Sequence, residues 1–233
     1  MSWKNYHLVT FGCSHTYGHG LEDCILDDGR SAGLEPSKFA WPKKLQEMVG
    51  FQTLDNRSKV GASNKIITKR IVDCNYVKDT VVIILWSNFN RHTIFDDRGE
   101  SKLHMLPAFI QKDMPLAFWK NHSSNKDEFT NLVKTYYENY YEEYDVTFDQ
   151  VIRMNFVHSF LKDQGILSIH LVAEHELKDK YFKKFNSSDI TIKKFNWKKH
   201  FVIDDALDYP HPHPGPKSHE YFAYNINQWF FKK

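Results

Sequence analysis

The sequence predicts an α/β fold: a three-layer α/β/α arrangement around a mainly parallel, flavodoxin-like sheet. Three observations predict it. The run Val81-Val82-Ile83-Ile84-Leu85 is continuous and β-branched, the pattern of a central parallel strand covered on both faces. Segments of strand character alternate with segments of helical period, the order expected of parallel βαβ units. The 233 residues hold no repeat and no low-complexity linker, so one domain over 1–233 is expected.

The elements follow in order. His7 to Phe11 is a short apolar run closed by Gly12, a buried strand entering a turn. Trp41, Leu45, Met48 and Val49 fall at i, i+4, i+7 and i+8 and predict an amphipathic helix over 41–49, with Pro42 in its first turn and Gly50 at its end. Residues 51–54 read as a second strand. Ser63 or Asn64 caps the next helix, whose apolar face is Ile66, Ile67, Ile71 and Cys74. Residues 92–145 read as an insertion, whose period over about 92–131 is too weak to assign elements. Thr147 to Gln150 has the capping-box pattern, ahead of a helix marked by Ile152, Phe156 and Phe160, with Val157 and Leu161, that ends at Gly165. A strand over 166–172 and a weaker one over 190–192 follow. Pro216 opens a last helix with Phe222, Ile226, Trp229 and Phe230 as its buried stripe.

Composition narrows the function classes. Hydrophobic residues make up 41% and charged residues 26%, as in soluble globular proteins. A net charge of +2 does not call for nucleic acid. Three cysteines without a CxxC pattern argue against a disulfide framework and for a reducing compartment. No secretory signal pattern and no membrane-length apolar run are present, so a cytoplasmic protein without a membrane partner is expected, a virion-associated one being compatible. Composition leaves the oligomeric state open. Tyr136, Tyr137, Tyr140, Tyr141 and Tyr144 are spaced so that about half pack as a helix face; the others are available to stack on a sugar.

Sites in such sheets lie at the carboxyl ends of the strands, and four polar segments fall there. Gly12-Cys13-Ser14 follows the first strand and can lift a hydroxyl above the sheet edge. Gly61-Ala62-Ser63-Asn64 follows the second, where a glycine lets a backbone N–H approach a ligand. Trp86-Ser87-Asn88 follows the central strand and brings a side-chain amide able to donate to an oxyanion. The fourth, 208–219, alternates proline with His211 and His213, which stiffens the backbone around two imidazoles, and Asp208 upstream can orient one of them. Each segment alone also reads as an ordinary turn.

Together, in this order, the four segments resemble the SGNH (GDSL-like) hydrolases, whose blocks bear Ser, Gly, Asn and His. The resemblance spans most of the chain apart from the insertion. It implies an ester hydrolase with Ser14 as nucleophile, His213 or His211 as base, Asp208 as the acidic partner, and the N–H groups of Ser14 and Gly61 with the Asn88 amide as oxyanion donors. It implies no cofactor and no metal, and a small-molecule or carbohydrate ester as substrate. Cys13 stands where the family has Asp, and the third block lacks the usual Gly and following Asp, so Asn88 and Asn90 both remain candidates. Asp208 and His211 satisfy the Asp-x-x-His spacing; His213 satisfies the spacing to His219 and the last helix, and is preferred on that ground. The rival readings are Cys13 as nucleophile, a non-catalytic or virion-structural scaffold of the same fold, and metal-dependent hydrolysis through His15, His19 and the terminal histidines. The last lacks an HExxH or Cys/His zinc pattern.

Overall fold

The computed structural model describes residues 2–27, 32–107, 126–176, 189–201, 205 and 213–232. Asp208 and His211 lie outside the described residues. The described strands are β1 (His7–Phe11), β2 (Thr53–Asn56), β3 (Thr80–Leu85), β4 (His92–Phe95), β5 (Ser101–Met105), β6 (Leu167–Ala173) and β7 (Ile192–Phe195). The helices are α1 (Ser14–Tyr17), α2 (Trp41–Val49), α3 (Asn64–Val72), α4 (Lys126–Asn139), α5 (Glu143–Asp163), α6 (Trp197–His200) and α7 (Pro216–Phe230).

The main sheet has the order β2-β1-β3-β6-β7, and every neighbouring pair is parallel. This is the flavodoxin-like order, with β1 at the point where the chain reverses its direction of travel across the sheet. β3 is buried along its whole length, as its unbroken apolar run requires. The alternation of side chains along the strands separates two cores. Val9, Phe11, Val82, Ile84 and Val172 face Ile67 and Ile71 of α3 and Val151, Met154 and Val157 of α5. Leu8, Val81, Ile83, Leu85 and Leu171 face Trp41 and Leu45 of α2 and Phe222 and Ile226 of α7. Three layers result, each interior side chain contributing about 1.5–3 kcal/mol of burial.

Several elements differ from their sequence reading. The second strand begins at Thr53, because His7 pairs with Thr53 in the parallel register, and Phe51 instead packs at the sheet's lower end against Trp3 and Phe231. Met48 is 39% exposed, so the buried stripe of α2 is narrower than its spacing suggests. The capping box at Thr147 does not start a helix. α5 already begins at Glu143, and the Thr147 hydroxyl donates back to the Glu143 carbonyl at 2.7 Å. Ile152 and Phe156 lie half exposed at 50% and 51%, while Val151, Met154, Val157 and Leu161 form the face that meets the sheet. The helix is apolar on more than one side, so spacing alone marked Ile152 and Phe156 together with Val157 and Leu161, which are buried. The weaker late strand runs over Ile192–Phe195, with Ile190 buried just before it.

Within 92–145, β4 and β5 pair as an antiparallel hairpin. Asp96 Oδ1 accepts the backbone N–H groups of Arg98 and Glu100 across its tip, and Gly99 adopts φ +76° there. Phe129 and Val133 of α4 pack on Met105, with Tyr136 and Tyr137 against them, whereas Tyr140 is exposed. Among the described residues no helix is long and apolar enough to cross a membrane.

Candidate active site

Ser14 sits where β1 ends. Gly12 makes the turn possible: a Cβ there would lie 2.0 Å from Thr16 Oγ1 and 3.1 Å from the Leu85 carbonyl. The chain therefore closes at once into α1, with the Cys13 carbonyl accepting the N–H groups of Thr16 and Tyr17. Ser14 is buried as the first residue of this turn. Its Oγ lies 3.5 Å from His15 Nδ1, a long contact, and Cys13 Sγ lies 3.8 Å from the same nitrogen.

Three imidazoles gather around α1. His213 stacks on His19 with ring centroids 4.1 Å apart and 12° between planes, and lies 5.7 Å from His15. His15 meets the edges of Trp197 and Phe201 from the β7–α7 side of the molecule. The end of the chain thus brings His213 beside the turn that carries Ser14. Asp205 holds that end in place. Its carboxylate accepts the Gly215 N–H at 3.1 Å and the Lys217 N–H at 2.7 Å, capping α7 two residues beyond His213. A Cβ on Gly215 would fall 1.8 Å from the Asp205 carbonyl oxygen. His219, the second histidine of the terminal block, is buried in the core, where its Nδ1 accepts the Trp41 N–H at 3.1 Å and ties α7 to α2. Burial pushes its pKa down to about 3, helped by the neighbouring His15, so it is neutral at physiological pH.

The second and third segments meet beside this turn. Lys59 N–H donates to the Gly12 carbonyl and Asn56 Nδ2 to the Thr16 carbonyl, which hold the loop after β2 against α1. Gly61 adopts φ +73°, and nothing lies within 4 Å of where its Cβ would be, so glycine serves its backbone conformation and not a tight fit. Asn64 and Ser87 exchange hydrogen bonds, Ser87 N–H to Asn64 Oδ1 at 2.7 Å and Asn64 Nδ2 to the Ser87 carbonyl at 3.0 Å. Asn64 is therefore a structural pin between the two loops. Asn88 is half-buried just beyond it, and its carbonyl accepts the Arg91 N–H across a turn. Asn90 has moved on: its carbonyl accepts the Tyr137 hydroxyl, and it lines a neighbouring cavity of about 240 Å³ with Phe89, Tyr141, His175 and Glu176.

Cys13 is a buried thiol. Burial alone would raise its pKa, but the Arg91 charge, the His15 backbone N–H and the Ser87 and Ser14 hydroxyls outweigh it and hold the pKa below the ordinary value. Glu176 at the end of β6 escaped the sequence reading. Its carboxylate accepts the Phe89 N–H at 2.8 Å, and burial pushes its pKa up against that bond and the nearby His175 and Arg91. Its position just past the fourth strand of the sheet was the signal that pointed to it. Asp205 had none, since it lies ten residues from the Gly215 amide that it caps. Among the described residues no three His, Cys, Asp or Glu side chains converge as metal ligands.

No known family profile matches the sequence, and neither does any curated protein. Solved structures do match. A carbohydrate esterase, whose active site is described as displaying divergent catalytic and non-catalytic binding functions, matches over 98% of this chain and 65% of its own, at 11% identity and a TM-score of 0.55. An acetyl xylan esterase from the rumen bacterium Butyrivibrio proteoclasticus matches over 96% of this chain and 62% of its own, at 12% identity and 0.49. A putative lipolytic protein of the G-D-S-L family from Desulfitobacterium hafniense matches over 96% and 99%, at 12% identity and 0.46. At such identities the likeness is one of fold alone: the chain shares the fold of the carbohydrate esterase matched at a TM-score of 0.55.

Proposed function

We propose that this chain is a serine esterase that hydrolyses an acyl or acetyl ester, including one carried on a carbohydrate, through an acyl-enzyme. The observation that carries the reading is the gathering of the His213 ring beside the turn that presents Ser14, at the reversal point of the sheet. In this reading Ser14 Oγ attacks the ester carbonyl while His213 takes its proton. The N–H groups of Ser14 and Gly61 and the Asn88 amide receive the developing oxyanion, each such donor lowering the barrier by about 3 kcal/mol. The alcohol leaves with the proton from His213, and water, deprotonated by the same imidazole, releases the acid. Asn88 is favoured over Asn90 because Asn90 is committed to the adjacent cavity. The proposal invokes no cofactor and no macromolecular partner.

Hydrolysis of p-nitrophenyl acetate tests it. Ser14→Ala is expected to abolish turnover, and His213→Ala to lower kcat by about 10²–10⁴-fold. Unchanged turnover in Ser14→Ala would sink the proposal. A second reading, with Cys13 as nucleophile, is supported by its lowered thiol pKa and the His15 nitrogen beside it. It requires that iodoacetamide inactivate the protein and that Cys13→Ala lose activity; a fluorophosphonate adduct on Ser14 decides for the first reading.

A further inference from the structure

The hairpin β4–β5 reaches back to the Gly61 turn through a line of hydrogen bonds. His104 Nε2 meets the Gly61 carbonyl at 2.8 Å, and its Nδ1 meets Thr93 Oγ1 at 2.7 Å. Thr93 Oγ1 meets Ser63 Oγ at 2.7 Å, and Ser63 Oγ caps α3 by accepting the Ile66 N–H. Ser63 and Thr93 are both buried.

The two ends of this line give it a direction. A carbonyl oxygen only accepts, so His104 Nε2 carries a proton and donates to Gly61. In the neutral ring Nδ1 is then an acceptor and takes the Thr93 hydroxyl proton. Thr93 Oγ1 in turn accepts from the Ser63 hydroxyl, which leaves Ser63 Oγ to accept the Ile66 N–H, a group that only donates. Every hydroxyl is used once as donor and once as acceptor, and one tautomer of His104 satisfies the whole line.

The line ends where rigidity is otherwise lacking. Gly61 has no Cβ and open space where one would be, so its backbone rotates more freely than that of any other residue type. The two peptides that follow it are held from outside instead. His104 takes its carbonyl, Lys59 takes the Ala62 N–H, and Arg91 Nη1 donates to the Ala62 carbonyl at 3.3 Å.

We infer that His104 is a positioning residue for the oxyanion-binding turn: as the neutral Nε2–H tautomer, set by Thr93 and Ser63, it locks the Gly61 backbone and so aims the Gly61 N–H. The hairpin is then a working part of the site and not an ornament on the sheet. The inference rests on the esterase reading for its catalytic consequence, but not for its structural content.

Two measurements test it on the full chain. With p-nitrophenyl acetate, His104→Phe is expected to lower kcat by about 10–100-fold with KM within about twofold, since a misaimed donor acts on the transition state. His104→Gln, whose amide accepts from Thr93 and donates to Gly61, is expected to recover kcat to within about threefold of the parent. If His104→Phe does not fold, Thr93→Val cuts the same line and is expected to lower kcat in the same way. Equal loss in the Phe and Gln variants, or an effect on KM alone, would overturn the inference. Long-range ¹H–¹⁵N spectra of the imidazoles supply the second measurement. They are expected to show His104 as the neutral Nε2–H form, and the Gly61 amide signal is expected to shift in His104→Phe but not in His104→Gln. An Nδ1–H tautomer overturns the positioning role whatever the activity. If the parent has no Ser14-dependent turnover, the esterase reading fails, and the spectra alone decide the inference.

Discussion

Two glycines near Ser14 are required for opposite reasons. At Gly12 the constraint is space. Thr16, which a Cβ would strike, is fully buried and has nowhere to go, and the Leu85 carbonyl closes the other side. Gly12→Ala is expected to cost about 1–3 kcal/mol, the range for overpacking, and to displace Ser14 with it. Urea unfolding and ester turnover should both register the change; an alanine variant of parental stability would contradict the packing described. At Gly61 the constraint is conformation. A Cβ has room, but an L residue in the left-handed region costs about 1–2 kcal/mol. Cys13 shows a third kind of constraint. The side chain is buried, yet its sulfur lies 3.8 Å from His15 Nδ1 and the charge of Arg91 helps hold its pKa below the ordinary value, so the position is polar in character although its burial is that of a core residue.

The start of α7 shows how a helix end can serve a site. Asp205 fixes the start of α7 from ten residues upstream, by accepting two or more of its first N–H groups. Asp205→Ala should destabilise the protein by about 1–2 kcal/mol, the usual cost of losing an N-cap side chain. It should also lower kcat, because the cap anchors the segment that delivers His213. Asp205→Asn keeps an acceptor oxygen and is expected to fall between the two. Thermal unfolding with parallel ester assays checks both; lost stability with an untouched kcat would separate the cap from the site. Thr147 makes the converse point. It has the sequence of a cap, but its hydroxyl has turned back to the Glu143 carbonyl inside a helix that was already under way.

For the molecule as a whole, two buried histidines set a response to acid. His170 accepts the Trp86 indole N–H at 3.1 Å beneath the sheet's end, and His219 accepts the Trp41 N–H between α2 and α7. Burial lowers the pKa of each from 6.5 to about 3. In the window between those values the unfolded chain binds protons that the native one refuses, so stability rises with pH there. The contribution is complete above about pH 6.5 and is lost as the pH falls towards 3. The melting temperature is therefore expected to hold steady near neutrality and to drop on acidification below about pH 6. His219→Gln, which retains an acceptor for the Trp41 amide, should make that drop shallower; an unchanged slope would mean that His219 is not the group being charged.

The sequence by itself determined the layered α/β architecture, the parallel central strand, helices α2 and α7, and the order in which the first three polar segments follow β1, β2 and β3. These follow from local period, since a strand covered on both faces must be apolar throughout and a helix on the sheet must show one apolar stripe. Only the tertiary structure decided the buried face of α5, which is apolar on more than one side and so carries no unique local signature. It alone decided that Asp205 caps α7, that Asn64 and Glu176 brace the loops around Asn88, that His219 belongs to the core while His213 stacks on His19, and that His104 grips Gly61. These are contacts between side chains far apart in the chain, 43 residues in the last case. A single hydrogen bond of that span imposes no spacing on the residues between, and so leaves nothing to read until the sheet has brought its ends together.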